Sequence, residues 1–532
     1  MKKLNFRLSS VETAALVFLY SSVFIFLFAW LKIYFAIPCA AAIIFGFYKF
    51  KKTTPGNKSK AFKIGRGVFI AAAIFFFLSC IAAGIGGFTY QSSDWSKHNA
   101  VLRDLINYSW PVYYPGNPDR AMLTYYVTSY LIPALVGKAT GILKLAEFAQ
   151  LVWASCGFVI FFLLAVKYTK ASTNKRQLFL AFLCVFFSTF SVSAAFIIQK
   201  FYPDLTSSMF YNTVAVNHSK SVFLQYTSNF DAIAYVFTQA IPLWICSMMF
   251  FNNKSNRQNY VFIMIPLAFY STLCFAGLAA TAMLYAAVDV VKDKFSAKVL
   301  KEIFSLSNIL LASVLGGTVL AFFGGNVFSK KPEKSSFSIS SLLCAEYLPV
   351  LLIFIFFGVG IYFLFFFKKN KKDTLFWISF AALFILPLFN MGFNNDLLLR
   401  GSQCALLYLM LMFADFMFDT DKHKRTSLIL FTFFAFNAIF HVFDAGAGFI
   451  IHTNESIVYK ERDTYQTMGE YTSKNGSPVT RYNWVDMEAL CYNYFTYDTE
   501  DDFFVQHLAR TKTSTYTERV QKYENDEMYS LE

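Results

Sequence analysis

Long, unbroken apolar runs dominate the chain. They recur at 12–30, 33–48, 67–87, 147–166, 177–198, 231–251, 259–275, 277–291, 303–323, 347–367, 374–390, 403–419 and 426–446. Each run is continuously hydrophobic, whereas a strand of a membrane barrel alternates in and out. As α-helix, runs of this length cross a hydrocarbon core of roughly 30 Å. The pattern predicts an all-α polytopic membrane protein, a bundle of about 13 transmembrane helices. Met1-Lys2-Lys3 could open a signal peptide, but the following run is too long and lacks a small-residue cleavage site. It reads as an uncleaved first span. Runs 259–275 and 277–291 are separated by Gly277 alone, which predicts a very tight turn there.

The polar intervals set the orientation. Lys and Arg cluster at 49–66, 167–176, 252–258, 292–302, 368–373 and 420–425, and short basic loops stay cytoplasmic. With Met1 inside, all six fall on that side. The long loops 88–146, 199–230, 324–346 and 391–402 and the tail from 452 then lie outside. Lys330, Lys331 and Lys334 run against the bias, in a longer loop where its force is weaker. The chain divides into a transmembrane domain, 1–451, and a small extracytoplasmic C-terminal domain, 452–532, expected to pack on the outer loops. In the first outer loop, Val101, Leu102, Leu105 and Ile106 make the apolar stripe of a helix over 94–106. Pro111, Pro115 and Pro118 break it. Tyr125 to Gly141 is too aromatic and too interrupted for a comfortable span, and reads as a helix lying flat at the interface.

Composition agrees. Of 532 residues, 56% are hydrophobic and only 15% are charged. The net charge of +14 invites a nucleic-acid partner, but its distribution argues against one. The last 81 residues carry 15 acids and 8 bases, while the first 451 carry 18 acids and 39 bases, most of them in the short loops. The positive charge reports topology. Seven of nine cysteines (39, 80, 156, 184, 246, 274, 404) fall inside predicted spans, and no CxxC occurs. Only Cys344 and Cys491 could face outside. This indicates neither a disulfide framework nor a zinc site.

Candidate chemistry gathers in the outer loops. Ser92 to Asn99 places Asp94, Lys97 and His98 at i, i+3 and i+4, on one helical face at the foot of the first outer loop. Asp94 is a candidate general base; its structural alternative is an N-cap. Lys97 and His98 could meet a phosphate or an acceptor, or form a solvated face that orients Asp94. Near the start of a late span, Asn395, Asp396 and Arg400 form a second candidate group. The guanidinium fork suits phosphate oxygens, although Asp396 and Arg400 could simply pair at i, i+4. Asp204 and His218 of the second outer loop could join the same cleft. Ionisable residues inside spans lie towards the ends: Asp289 and Asp415 cytoplasmic, Asp444 outer.

The chain resembles the GT-C superfamily, multi-spanning glycosyltransferases that use polyprenyl-phosphate-linked sugars. Three features carry the resemblance, over about residues 60–450: Ser93-Asp94-Trp95 just beyond an early span, the Tyr-rich stretch Tyr125 to Gly141, and Asn394-Asn395-Asp396-Leu397-Leu398-Leu399-Arg400-Gly401-Ser402. The resemblance implies transfer of a sugar from a polyprenyl-phosphate donor to a glycan or lipid acceptor outside a bacterial cytoplasmic membrane. Asp94 would deprotonate the acceptor, and Arg400 would hold the leaving phosphate. The family often carries paired acids in the first loop, and here Ser and Trp flank Asp94. A divalent metal wants several oxygen ligands, so one is possible but not indicated, and no cofactor is certain. A flippase or transporter, or a polymerase of lipid-linked glycans, is the alternative, and a structural membrane subunit a third.

Overall fold

The computed structural model describes residues 3–54, 61–91, 93–114, 121–203, 207–208, 213–216, 222–328, 337–340, 343, 345, 347–392, 395–419, 424–454, 494–496 and 499–520. The N-terminal part holds α1 (Leu8–Trp30), α2 (Ile33–Thr53) and α3 (Arg66–Ala82). The first long loop contains α4 (Ser93–Asn107) and α5 (Leu131–Thr140). There follow α6 (Leu143–Thr169), α7 (Asn174–Phe186), α8 (Ser191–Phe201), α9 (Asn229–Asn252), α10 (Tyr260–Tyr270) and α11 (Thr272–Lys292). Next come α12 (Ala297–Ile303), α13 (Leu306–Leu311), α14 (Gly317–Phe328), α15 (Leu348–Ile355) and α16 (Ile361–Asn370). The last four are α17 (Thr374–Ile385), α18 (Asp396–Gly401), α19 (Gln403–Phe418) and α20 (Lys424–Asn454).

Eight helices are long and apolar enough to cross a membrane, or nine if the bent pair α7–α8 counts as one span. The protein is a multi-pass helical bundle. Polar caps start several helices inside it: the side chains of Thr173, Ser228 and Ser271 accept from the amides of Arg176, Asp231 and Cys274. Ser271 also corrects the turn expected at Gly277. The break between α10 and α11 falls at Ser271, whose backbone is extended (φ −169°). Gly277 lies inside α11, where an added Cβ would collide with the backbone of Gly401. Its work is close approach of two helices rather than reversal. Short π-helical segments, Ala312–Gly316 and Phe356–Gly360, join α13 to α14 and α15 to α16.

Contacts gather the basic loops at one end of the bundle. Asn259 Nδ2 donates to Thr53 Oγ1 (2.8 Å), Arg257 pairs with Asp289 and Glu302, Lys292 donates to Thr374, and Lys369 pairs with Asp415 and Asp419. There β1 (Lys3–Arg7) and β2 (Ala61–Gly65) form an antiparallel ribbon, with Leu4 opposite Ile64.

The opposite end carries the first loop. Tyr125 precedes a 3₁₀ turn, Val127–Tyr130, which runs into α5. At ten residues α5 rises about 15 Å, half a bilayer, and Gly141 ends it in the left-handed region (φ +69°). β3 (Tyr113–Tyr114) and β4 (Ala121–Leu123) pair in this loop. Backbone strands β5 (Ser207–Ser208), β6 (Thr213–Val216) and β7 (Val222–Leu224) form a second small sheet, and β8 (Ser338–Ile339) pairs with β9 (Phe389–Asn390). The C-terminal segment returns to the first loop. Its β10 (Phe495–Thr496) adds to β4, Tyr494 stacks on Tyr125, and the amides of Arg519 and Val520 donate to Asn107 Oδ1. The seven cysteines of the predicted spans are free thiols; Cys344 and Cys491 lie outside the described residues.

Candidate functional site

The first turn of α9 organises the site. Ser228 caps the helix, its Oγ accepting from the Asp231 amide at 3.0 Å. Asp231 therefore sits where the positive end of the helix dipole favours a carboxylate. The next residue back, Thr227, donates to the Leu399 carbonyl of α18 (3.4 Å). Against this turn α20 presents His441 and Asp444, one turn apart. His441 Nδ1 lies 3.2 Å from Ser228 Oγ, 3.5 Å from Asp231 Oδ1 and 3.9 Å from Asp444 Oδ2. Histidine and Asp231 are buried, whereas a third of the Asp444 side chain is exposed. An imidazole and two carboxylates with ligand atoms this close could hold a cation.

Asp231 and Asp444 line a cavity of about 140 Å³, together with Tyr90, Trp95 and Tyr235. Its wall is tight where α20 passes the end of α3. A Cβ at Gly448 would stand 2.8 Å from the Ala82 carbonyl, and the Tyr90 amide donates to the Gly448 carbonyl at 3.1 Å. The cavity thus combines acidic and aromatic residues.

The helix expected over 94–106 is α4, which begins at Ser93 and puts Asp94 in its first turn. The side chain of Asp94 lies outside the described atoms. Its neighbour Trp95 lines the cavity and donates from Nε1 to the Ala234 carbonyl (2.8 Å), so the foot of α4 is held against α9. Lys97 is half-buried on the same helix. His98 is buried, and both ring nitrogens meet protein atoms. Nε2 donates to the Tyr235 carbonyl at 3.0 Å, which leaves Nδ1 to accept from the Tyr130 hydroxyl. Its ring also packs edge-on against Trp95 and Phe237. His98 ties α4 to α9 and to the turn before α5.

Arg400 and Asp396 make the i, i+4 pair, at 3.3 Å. Burial opposes the charge on Arg400, but Asp396 and the phenols of Tyr126 and Tyr125 outweigh it and hold the guanidinium above the ordinary arginine pKa. Asn395 caps α18 from a left-handed backbone (φ +52°), accepting from the Leu398 amide and donating to the Phe389 carbonyl. Arg400 is not among the residues lining the cavity; it lies across the Thr227–Ser228 link from His441. Asp204, His218 and Asn394 fall outside the described residues.

Asp231 and His441 did not stand out in the sequence. They sit in predicted spans far apart along the chain, and the one local signal was the i, i+3 spacing of His441 and Asp444. Fold and site define a multi-pass helical membrane protein with an acid-lined, aromatic cavity at the first-loop end. No family model, no curated protein and no solved structure matches the chain.

Proposed function

We propose that the protein is a membrane glycosyltransferase that moves a sugar from a polyprenyl-phosphate-linked donor to a glycan or lipid acceptor on the outer face of a bacterial cytoplasmic membrane. The observation that carries this reading is the cavity, which Trp95, Tyr90 and Tyr235 line beside the carboxyl-bearing Asp231 and Asp444. On this reading Asp94, whose backbone lies in the first turn of α4, accepts the proton of the acceptor hydroxyl. Arg400, ringed by Asp396, Tyr125 and Tyr126, receives the phosphate that leaves with the lipid. Lys97 stands on the same helix to meet either charge. His98 positions α4. The shorter and broken helices complete about 13 crossings, with the N-terminus inside and the tail, from 452, as an appendage outside.

A carrier of lipid-linked sugar is the second reading, favoured by the His441–Asp231–Asp444 cluster, because ionisable groups within a bundle mark ion and proton pathways. Purified protein in liposomes, given radiolabelled polyprenyl-phosphate sugar and no energy source, separates the two. New glycosidic bonds support transfer; label that changes leaflet without them supports transport. Asp94→Asn should lower transfer by roughly 10²- to 10⁴-fold, the usual contribution of a general base. Full activity in that variant removes Asp94 from the role.

A further inference from the structure

We propose that Asp231, His441 and Asp444 form a binding site for one divalent transition-metal cation. The three side chains converge from two helices, and their ligand atoms all lie within 4.8 Å of one another. The spacings within the group are informative. Beside its 3.2 Å contact with Ser228 Oγ, Nδ1 of His441 is 3.5 Å from one carboxylate and 3.9 Å from the other. Both exceed the 2.7–3.2 Å of a good N–H···O hydrogen bond. They approach the edge of a tetrahedron around a cation bound at about 2.1 Å, which is roughly 3.4 Å.

A second observation, separate from these spacings, points to a ligand. Asp231 is 4% exposed, and its Oδ2 has no hydrogen-bond partner among the described residues. A buried carboxylate oxygen without a donor is costly, and a buried carboxylate without a counter-charge more so. Among the described residues the one ion-pair partner of either acid is His441, which both share. One imidazolium would leave a net negative charge in the group, whereas a dication balances both acids and needs the imidazole only as a neutral donor.

The donor set also limits the choice of metal. Imidazole with two carboxylates suits Zn²⁺ or Mn²⁺ better than an all-oxygen cation such as Ca²⁺. Three protein ligands leave coordination positions open, and Asp231 and Asp444 both face the cavity of about 140 Å³. That space holds several waters, each needing about 10–15 Å³. A bound cation would therefore be reachable by an anionic group entering the cavity. The binding claim stands whether or not the protein transfers sugars.

The test is binding, not activity. The full chain, purified in detergent and stripped with chelator, is titrated with Zn²⁺ by calorimetry, with Mn²⁺ by electron paramagnetic resonance, and with Co²⁺ by visible absorption. One equivalent should bind at micromolar concentration or below, and Co²⁺ should develop the intense bands of a low-coordinate N/O site. Asp231→Asn, Asp444→Asn and His441→Gln should each weaken binding at least tenfold, while Asp502→Asn, in the tail, should leave it unchanged. Should a cluster variant fail to fold, the Co²⁺ spectrum of the wild-type chain still decides. Retention of the hexaaqua spectrum, or metal uptake that the folded variants match, overturns the site.

Discussion

Single residues already separate packing from chemistry. Gly277 in α11 and Gly317 in α14 are both helical glycines, but their surroundings differ. A methyl on Gly277 would strike the backbone of Gly401, whereas one on Gly317 would meet nothing within 4 Å. Backbone cannot rotate out of the way as a side chain can, so Gly277→Ala should cost roughly 1–3 kcal/mol as an overpacked contact. Gly317→Ala should be neutral or gain up to about 1 kcal/mol from helix propensity. Thermal unfolding of the two variants in the same detergent checks the contrast; equal melting temperatures would show that α11 and α18 are not in close contact. The same scale shows what a reader of the bare sequence could and could not find. The Asp396–Arg400 pair was visible as an i, i+4 spacing and is present. The trio at His441 was not, because its third member arrives from another helix and no local period announces it.

Elements were legible where hydrophobic periodicity decides and opaque where a partner decides. The apolar runs that became α1, α6 and α9 needed only length and composition. The break between α7 and α8 has neither proline nor glycine to mark it. It persists because the freed backbone groups find distant partners: the Phe190 amide donates to the Gly358 carbonyl, and the Phe187 carbonyl accepts from the Asn229 amide. The stretch from Tyr125 to Gly141 reads as one interrupted helix and is a 3₁₀ turn followed by α5. Lys138 on α5 shows how such a short element is held. Its Nζ donates to the carbonyls of Ile106 and Tyr108 and sits over the Trp110 ring. Burial, and then the neighbouring Arg519, pull its pKa down from the usual lysine value to about 8. A lysine whose folded pKa lies below its unfolded one destabilises the fold while charged, and that cost sets in as pH falls from about 10.5 to 8. Lys138→Met removes the titration. Its melting temperature relative to the wild type should therefore be highest below pH 8 and should decline as pH rises towards 10. A difference that stays flat over that range would mean that Lys138 is not held in a desolvated site.

At the scale of the molecule the two ends of the bundle are chemically opposite, and the functional reading depends on which one faces out. One end ties its basic loops together through Arg257, Lys292 and Lys369, each with a polar or acidic partner from another element. The other end seats the tail on the first loop and holds the cavity. The Arg510 amide donates to the Trp30 carbonyl at the end of α1, and the Thr517 amide to Asn107 at the end of α4. Tail and cavity therefore share a side, and the proposed topology, which follows the Lys/Arg bias, puts the other side in the cytoplasm. A cysteine-free chain, with all nine native thiols replaced, permits a direct test, since seven of them lie in the bundle. Lys371→Cys, exposed on the basic-loop end, should react with a membrane-impermeant maleimide only after cells are permeabilised. Thr511→Cys, exposed on the tail, should react in intact cells. The inverse pattern would put the acids of the cavity in the cytoplasm and rule out an acceptor outside the cell. Labelling of both sites in intact cells would deny that the bundle separates them at all. Only opposite labelling in the stated sense leaves a lipid-linked donor, an outer acceptor and the carboxylates of Asp231 and Asp444 on one side of the membrane.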